Sequence, residues 1–349
     1  MKNLKKVVCF ILALSLCAAV FSGCGNNDEI GTLKPKETLE AIDFGEGNII
    51  AKGKTVEISA DTYGYFVYQC ALTEAMKEDP KLENIENFDW DKENNEGVKI
   101  ADIIKKNAAN ALIKRTVVVD YAKDNGIKLT VDEKESIDKA MKDYKEKQGE
   151  EMFTATLNST GINNIDAYLE LYEAETIYNK IKEDFDQNRD KYIEDEEEME
   201  KYKDDENVCV KHILIKNDSE KFEDPKATAE EVLKKAKAGE DFDRLVEEYN
   251  EDPGAKKAGY SFGHGEMVPE FEEASFALDY GEISEIVETT YGYHIIKRYV
   301  GLAEFENYLV AKENVVKNNE YIDSISVKKI LSSISEANKL LAGETEKGE

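Results

Sequence analysis

The chain is 349 residues long and strongly acidic, with 75 Asp and Glu residues against 46 Lys and Arg residues, for a formal net charge of −29. Such a chain repels nucleic acid and anionic lipid headgroups, which excludes nucleic-acid binding and favours basic or neutral partners. Solubility is the simplest explanation of the charge.

The first 23 residues have the pattern of an export signal. Three lysines (Lys2, Lys5 and Lys6) precede an apolar run over residues 7–21, and Ser22-Gly23-Cys24 comes next. A basic start, a short apolar core and a small-residue cleavage site are typical of a secretory signal. The run of about 15 apolar residues is shorter than the roughly 20 of a membrane-spanning helix. The pattern resembles a bacterial lipoprotein signal, with cleavage before Cys24 and a lipid on its thiol.

Phe21 stands where lipoprotein signals usually carry leucine, which leaves an ordinary signal peptide as the alternative. No later segment is apolar enough to span a membrane, so we expect the lipid on Cys24 to anchor the chain to the extracytoplasmic face of a bacterial cell membrane. Removal of residues 1–23 takes three lysines and no acidic residue, which lowers the formal charge from −29 to −32. Cys70 and Cys209 then remain, too few for a disulfide scaffold, and whether they pair is left open.

Residues 24–52 are polar, with no sustained period, and are predicted to form a tether. A helical domain is predicted over residues 53–206, after a strand-like start. Apolar residues at three- and four-residue spacing predict four helices, which begin near Asp61 and Thr130 and span 97–124 and 164–188. Thr130 with Glu133 resembles a capping box. The acidic run 194–206 is interpreted as a charged connector.

From Val208 the pattern changes to that of a compact α+β unit, predicted over residues 207–301. Its predicted elements are strands at 208–215, 283–289 and 293–299, helices at 225–239, 241–249 and 269–278, and a Gly-rich loop at 250–266. Residues 302–349 are helical again and are expected to pack on the N-terminal domain. We therefore predict an α+β protein, in which both ends of the chain form an all-helical domain. The inserted domain has an antiparallel sheet surrounded by helices.

All three histidines lie between residues 212 and 294, and two of them sit in similar strand segments, VKHILI at 210–215 and YGYHII at 291–296. If these strands are neighbours in an antiparallel sheet, the two rings meet. Histidine is the side chain whose proton equilibrium moves most easily near neutral pH. A facing pair therefore indicates a functional site, whereas two separate rings would be ordinary core histidines.

Residues 208–300 resemble the parvulin family of peptidyl-prolyl cis/trans isomerases. The resemblance depends on four segments in the family's order and approximate spacing: VKHILI (210–215), NEDPG (250–254), GEMVPEFE with ASF (265–276) and YGYHII (291–296). It covers a little over a quarter of the chain. With the lipoprotein signal and the helical flanks, the whole chain resembles PrsA-type extracytoplasmic foldases.

The resemblance implies an isomerase that assists the folding of secreted proteins outside the cytoplasmic membrane. It implies catalytic roles for His212, Asp252 and His294, in which the histidines orient and polarise, since rotation about a C–N bond moves no proton. The implied substrate-binding residues are Met267, Phe271, Tyr260, Phe262 and Tyr291. Bond rotation implies no cofactor. The implied partners are unfolded or secreted proteins with X-Pro bonds, and a homodimer is implied by analogy alone.

Two departures from the family pattern concern catalytic strength. The stretch 257–262 is two residues short, so a leucine that caps the proline pocket is missing or is replaced by Tyr260. Tyr291 stands where some relatives have a serine.

Some parvulins require a phosphorylated residue before proline, but the loop 216–221 is balanced in charge and lacks the arginines that bind phosphate in a bidentate way. A phosphate requirement is therefore rejected.

Three alternative functions use the same residues. Residues 259–263 (GYSFG) match the nucleophile elbow of serine hydrolases, with Asp279 and His294 after it, but the residues after Ser261 are a poor start for a helix. Cys209, His212, His264 and His294 lack the compact spacing of metal ligands, and Cys209 and His212 point to opposite faces of one strand. The serious alternative is a chaperone lipoprotein whose helical domain binds unfolded chains while the parvulin-like domain is weak or inactive.

Overall fold

A computed structural model of the chain describes residues 48–78, 85, 88–193, 195–203, 207–254 and 259–342. The predicted signal, Cys24 and most of the predicted tether lie outside the described residues. In the described residues, no helix is both long and apolar enough to cross a membrane. These residues divide into two compact units, the first up to Ile181 and again from Leu309 onward, the second over Lys182–Tyr308.

The helices are α1 Tyr63–Glu78, α2 Ile100–Asp124, α3 Val131–Gln148, α4 Glu150–Asn158, α5 Ile165–Gln187, α6 Glu196–Met199, α7 Pro225–Lys237, α8 Phe242–Tyr249, α9 Pro269–Ala277, α10 Leu302–Lys312, α11 Asn319–Ser324 and α12 Val327–Ala342. The strands are β1 Ile49–Lys52, β2 Glu57–Ser59, β3 Asn207–Lys216, β4 Tyr260–Gly263, β5 Val287–Thr289, β6 Gly292–Tyr299 and β7 Val316–Lys317. Short 3₁₀ turns lie at Arg189–Lys191 and Glu200–Tyr202.

The first unit is mainly helical, as the apolar spacing predicts. The predicted capping box at the start of α3 is confirmed: the Thr130 hydroxyl accepts a hydrogen bond from the Glu133 amide, and the Glu133 carboxylate accepts one from the Thr130 amide. The C-terminal helix α12 contacts α1, α2 and α4. Strand β7 pairs with β1, with Lys317 opposite Ala51. Residues from both ends of the chain therefore build this unit.

The expectation of an all-helical first domain is wrong in one respect, because the unit also contains the three-stranded antiparallel sheet β2-β1-β7. Its strands have only two to four residues, which is too short for an alternating pattern to stand out. Residues 49–52, assigned to the tether, form β1. The separate helix α4 is also absent from the prediction; Gly149, with a φ of +82°, ends α3 there.

The second unit contains a four-stranded antiparallel sheet in the order β4-β3-β6-β5. The predicted antiparallel sheet with surrounding helices is confirmed, and with it the α+β class. The predicted loop 250–266 contains strand β4. The predicted strand 283–289 is shorter than expected, since β5 begins at Val287 and Ile283 forms only an isolated bridge to Lys297.

Alternation along β3 explains how this sheet is covered on both faces. Ile213 and Ile215 pack with residues of α7 and α8, including Val232 and Leu245. Val208 and Val210 point to the other face and pack with Phe271 of α9 and its neighbours. Asp224 and Asp241 cap α7 and α8, and each accepts a hydrogen bond from an amide three residues later.

The second unit extends beyond the expected range 207–301. The rings of Phe185, Tyr192 and Phe305 pack together, with centroids 5.4–5.6 Å apart. This cluster joins the end of α5 to α10 within the unit, so residues on both sides of the predicted boundaries belong to it.

Candidate active site

Two histidines meet on the face of the sheet that α9 covers. In the β3–β6 pair, Leu214 lies opposite His294 and Ile296 lies opposite His212, which makes the histidines diagonal neighbours on one face. The Nδ1 atoms are 3.0 Å apart, and the rings stack with centroids 5.2 Å apart and planes 16° from parallel. The residues are only 7% and 4% exposed. The rings therefore meet, as the matching strand segments predict.

Asp252 extends the pair at the His212 end. The loop after α8 is held against β3 because the Asn250 side chain accepts a hydrogen bond from the Leu214 amide and the Glu251 amide donates to the Leu214 carbonyl. This places Oδ2 of Asp252 3.0 Å from Nε2 of His212. Oδ1 accepts a 2.9 Å hydrogen bond from the Gly254 amide. The NEDPG segment thus positions a carboxylate against the buried ring.

The hydrogen-bond partners determine the tautomers of both rings. An ionised Asp252 can only accept, so Nε2 of His212 donates to it and Nδ1 of the neutral ring accepts. Nδ1 of His294 then donates to His212, and Nε2 of His294 accepts from the Thr289 hydroxyl at 2.8 Å. The Thr289 oxygen in turn accepts from the Tyr291 amide. With both rings neutral, each contact in this chain has one donor and one acceptor.

The electrostatics of the site favour the same protonation states. Burial lowers the pKa of His212, although the hydrogen bond with Asp252 opposes this. Burial also lowers the pKa of His294 to about 4, and repulsion from His212, once that ring is protonated, acts in the same direction. Burial raises the pKa of Asp252, but hydrogen bonds from Tyr260, Gly254 and His212 outweigh burial and leave it below its ordinary value. At neutral pH the site holds two neutral imidazoles and one carboxylate.

Tyr260 stands over the His212–Asp252 contact. Its hydroxyl donates a 2.6 Å hydrogen bond to Oδ2 of Asp252, and its ring meets the ring of His212 edge-on at 5.4 Å. Gly259, just before it, has a φ of +88°, and a Cβ there would lie 2.5 Å from the Val210 carbonyl oxygen. This close approach is part of the β3–β4 pairing that carries Tyr260 to the site.

An apolar cluster adjoins the histidines. Phe271 has ring centroids 5.1 Å from His212 and 5.2 Å from His294. Phe262 is fully buried behind Phe271, at 5.8 Å, while Met267 is half-buried and packs against the same cluster. The structure thus brings together seven of the predicted site residues: His212, Asp252, His294, Met267, Phe271, Tyr260 and Phe262.

Tyr291 and Cys24 are the predicted residues that the structure does not add to this arrangement. The side chain of Tyr291 is outside the cluster and 62% exposed, in the turn between β5 and β6, and only its amide joins the hydrogen-bonded chain. Cys24 lies outside the described residues. Thr289, whose hydroxyl makes the contact with His294, is a site residue that the sequence did not predict. The sequence feature that could have indicated Thr289 is the pair Thr289-Thr290 just before the turn.

The structure also argues against Ser261 as the nucleophile of a serine hydrolase. Ser261 is exposed and lies within strand β4, paired with Cys209 of β3. A nucleophile elbow places its serine at a sharp turn from a strand into a helix. His294 already exchanges hydrogen bonds with His212 and Thr289. The GYSFG segment is therefore a strand and not an elbow.

Comparison with known proteins agrees with the family resemblance of the sequence. A family model described as the PPIC-type PPIASE domain matches residues 196–299. Foldase protein PrsA of Caldanaerobacter subterraneus subsp. tengcongensis is 31% identical over 247 residues, which are 67% of this chain and 72% of the relative. Foldase protein PrsA 4 of Bacillus cereus is 33% identical over 189 residues, 53% of this chain and 61% of the relative. The chain thus spans about three-fifths of that relative's length.

Two solved structures are also similar to this chain. The parvulin NmPin of Nitrosopumilus maritimus is 38% identical, with 27% of this chain and 97% of that chain covered and a TM-score of 0.23. The crystal structure of the peptidylprolyl isomerase PrsA from Bacillus cereus is 24% identical, with 75% of this chain and 94% of that chain covered and a TM-score of 0.25.

Proposed function

The chain belongs to the PrsA foldase family, and on this premise we propose that it is a peptidyl-prolyl cis/trans isomerase that assists the folding of secreted proteins. One observation carries the proposal: the hydrogen-bonded chain from Asp252 through His212 and His294 to Thr289 lies against the cluster around Phe271. All of these residues fall within the matched isomerase domain.

The reaction needs an environment of this kind. Rotation about the amide bond faces a barrier of about 18–20 kcal/mol, and uncatalysed X-Pro exchange takes tens to hundreds of seconds. Because no bond is made or broken, the protein must bind the proline ring in an apolar pocket and favour the twisted amide over the planar one. Fixed, neutral imidazoles beside a carboxylate supply oriented dipoles and charge without transferring a proton.

We assign His212, Asp252 and His294 to this polar environment. Met267 and Phe271 line the proline pocket, with Phe262 behind Phe271. Tyr260 covers the pocket where relatives carry a leucine, and Tyr291 contacts the substrate from the exposed turn. The support for these roles is the contact of Phe271 and Tyr260 with His212 and the packing of Met267 against the apolar cluster that includes Phe271.

The wider organisation is part of the proposal. A lipid on Cys24 holds the mature chain on the extracytoplasmic face of the cell membrane, and residues 24–52 link the anchor to the body. The segments expected at 53–206 and 302–349 form a mainly helical domain with a small sheet, and the isomerase domain, expected at 207–301 and extended on both sides, is inserted between them. Clients are unfolded or secreted proteins with X-Pro bonds, and the chain forms a homodimer through the helical domain. The alternative, a mainly chaperone role, is less favoured because the matched domain is an isomerase domain.

The test is prolyl isomerisation of a panel of X-Pro tetrapeptides by purified residues 24–349. We expect a clear acceleration that is lost in Asp252→Ala and Met267→Ala and retained in Asp218→Ala, which removes an exposed carboxylate from the loop after β3. No acceleration by a chain that circular dichroism shows to be folded would favour the chaperone alternative. The shortened stretch 257–262 would then be the suspected cause.

A further inference from the structure

A carboxylate of helix α9 binds the backbone of the loop that carries Met267. Oε1 and Oε2 of Glu272 lie 3.0 and 2.9 Å from the Gly265 amide nitrogen, and Oε2 also accepts a 3.3 Å hydrogen bond from the Met267 amide. The Glu272 side chain is only 17% exposed. One side chain on the helix thus accepts from two backbone amides of the preceding loop.

The Gly265 backbone contributes to this contact. Gly265 has a φ of +82°, a conformation that glycine adopts readily, and in it the Gly265 amide donates to Glu272. Hydrogen bonding to the Gly265 amide lowers the pKa of the Glu272 carboxyl below its ordinary value, so the group is ionised at neutral pH. Hydrogen bonds to an ionised acceptor are roughly twice as strong as those between neutral groups.

The same helix carries the residue that faces the histidines. Phe271 directly precedes Glu272, and its ring contacts His212 and His294. Glu272 therefore connects the backbone of Met267 to the turn of α9 that presents Phe271. This connection links the backbone positions of the two side chains assigned to the proline pocket.

Neighbouring contacts hold the other end of the loop. The Glu266 carboxylate accepts a hydrogen bond from the Gly263 amide. The ring of His264 stacks on Phe276 at 4.0 Å, and its Nδ1 lies 3.6 Å from Oε1 of Glu272. The loop is therefore anchored at residues 263–265, before Met267, and Glu272, which binds the Met267 amide itself, is the anchor closest to it.

We propose that Glu272 is a positioning residue for the isomerase: it holds Met267 at the distance from Phe271 that the proline ring requires. The proposal rests on the proposed function. Glu272 does not touch the substrate, and it acts through Met267. Three variants distinguish this positioning role from a general effect of removing a carboxylate from α9. Glu272→Ala removes both acceptor oxygens, and Glu272→Gln retains one of them. Glu273→Ala removes the exposed neighbouring carboxylate.

A double-mutant cycle with Met267→Ala provides the test. We expect Glu272→Ala to lower kcat/KM about five- to tenfold through a higher KM, because a loose pocket weakens ground-state and transition-state binding alike. Glu272→Gln should lose less than about threefold, and Glu273→Ala should match the unsubstituted chain. If Glu272 acts through Met267, Glu272→Ala should have no further effect in the Met267→Ala background.

Additive losses in the double variant would overturn the proposal, as would a lower kcat at unchanged KM, which indicates a smaller folded fraction. Amide hydrogen exchange supplies a readout that needs no activity. In Glu272→Ala the Gly265 and Met267 amides should exchange faster while those of β3 and β6 stay unchanged. If the unsubstituted chain does not accelerate isomerisation, the proposed function fails on that result alone. Unchanged exchange at Gly265 and Met267 would independently show that Glu272 does not hold the loop.

Discussion

Tyr260 and His212 share one oxygen atom of Asp252. The Tyr260 hydroxyl lies 2.6 Å from Oδ2, and Nε2 of His212 lies 3.0 Å from the same atom. The sequence predicts Tyr260 only as a replacement for a leucine over the pocket. The hydroxyl gives it a second role that leucine cannot have, because it keeps Asp252 ionised and oriented toward His212.

Tyr260→Phe should therefore raise the pKa of Asp252, since the hydrogen bond from Tyr260 is the largest of the contacts that lower it. The protonated form then appears at a higher pH, so isomerase activity of the variant should fall at a higher pH on acidification. The carboxyl carbon shift of Asp252 in NMR measures this directly. Tyr293→Phe, which removes a phenol on the opposite face of the sheet, is the control. Identical Asp252 titrations in Tyr260→Phe and the unsubstituted chain would contradict the assignment.

Thr289→Val should destabilise the second unit by about 1–3 kcal/mol, because the buried Nε2 of His294 and the partly buried Tyr291 amide both lose their hydrogen-bond partner. Valine keeps the shape of threonine, so little packing is lost. Thr290→Val is the matched control: Thr290 is exposed, and its replacement should change stability by less than about 0.5 kcal/mol. Urea unfolding of the three chains gives the comparison. Equal losses at both positions would rule out a special role for the Thr289 hydroxyl.

The contrast between Thr289 and Tyr291 shows how much of the site can be predicted from the sequence. Alternation along two strand segments predicted a shared face for His212 and His294 only on the condition that the strands pair, and each does lie two residues from a buried residue of the same face. Which hydroxyl reaches His294 depends on where the β5–β6 turn falls. Thr289 pairs with Gly292, so residues 290 and 291 form the turn, and the Tyr291 side chain is exposed there.

Long-range pairing limited the prediction elsewhere. β7 has two residues and pairs with β1, more than 260 residues earlier in the chain. Nothing local distinguishes Val316-Lys317 from a helix connection, because the partner strand supplies its hydrogen bonds. Helices with long apolar stripes, such as α2 and α5, were predicted to within three residues at each end.

Met267→Ala should separate activity from stability better than Phe271→Ala. Phe271 is a core residue as well as a pocket residue, with 4% exposure, so its truncation should cost about 3–5 kcal/mol of stability. Met267 is half-buried, and its truncation should cost about 1 kcal/mol while still removing most of the isomerase activity. Urea unfolding and peptide isomerisation of both variants test the difference. A stability loss for Met267→Ala as large as that for Phe271→Ala would show that Met267 belongs to the core.

The neutral histidines predict a loss of stability in mild acid. The pKa of His294 is about 4 in the folded chain and that of His212 is also lowered, whereas an unfolded histidine titrates near 6.5. Between these values the unfolded chain binds protons that the folded chain does not, so stability is complete above about pH 6.5 and falls as the pH drops toward 4. Between pH 6.5 and 4, His294 alone should lower the free energy of unfolding by about 3 kcal/mol.

Urea unfolding at a series of pH values measures this fall, with the methyl NMR signals of Ile213 and Ile295 as probes of the second unit. His294→Asn should be less stable at pH 7, because its hydrogen bonds are altered, but its stability should change much less between pH 6.5 and 4. His264→Asn is the control, since His264 is exposed, and it should keep the full pH dependence. If stability rose as the pH fell from 6.5 to 4, the buried pair would have to be charged in the folded chain, and the hydrogen-bond assignment from Asp252 to Thr289 would be wrong. If the full slope persisted in His294→Asn, the fall would come from other groups, and the contribution assigned to His294 would be wrong.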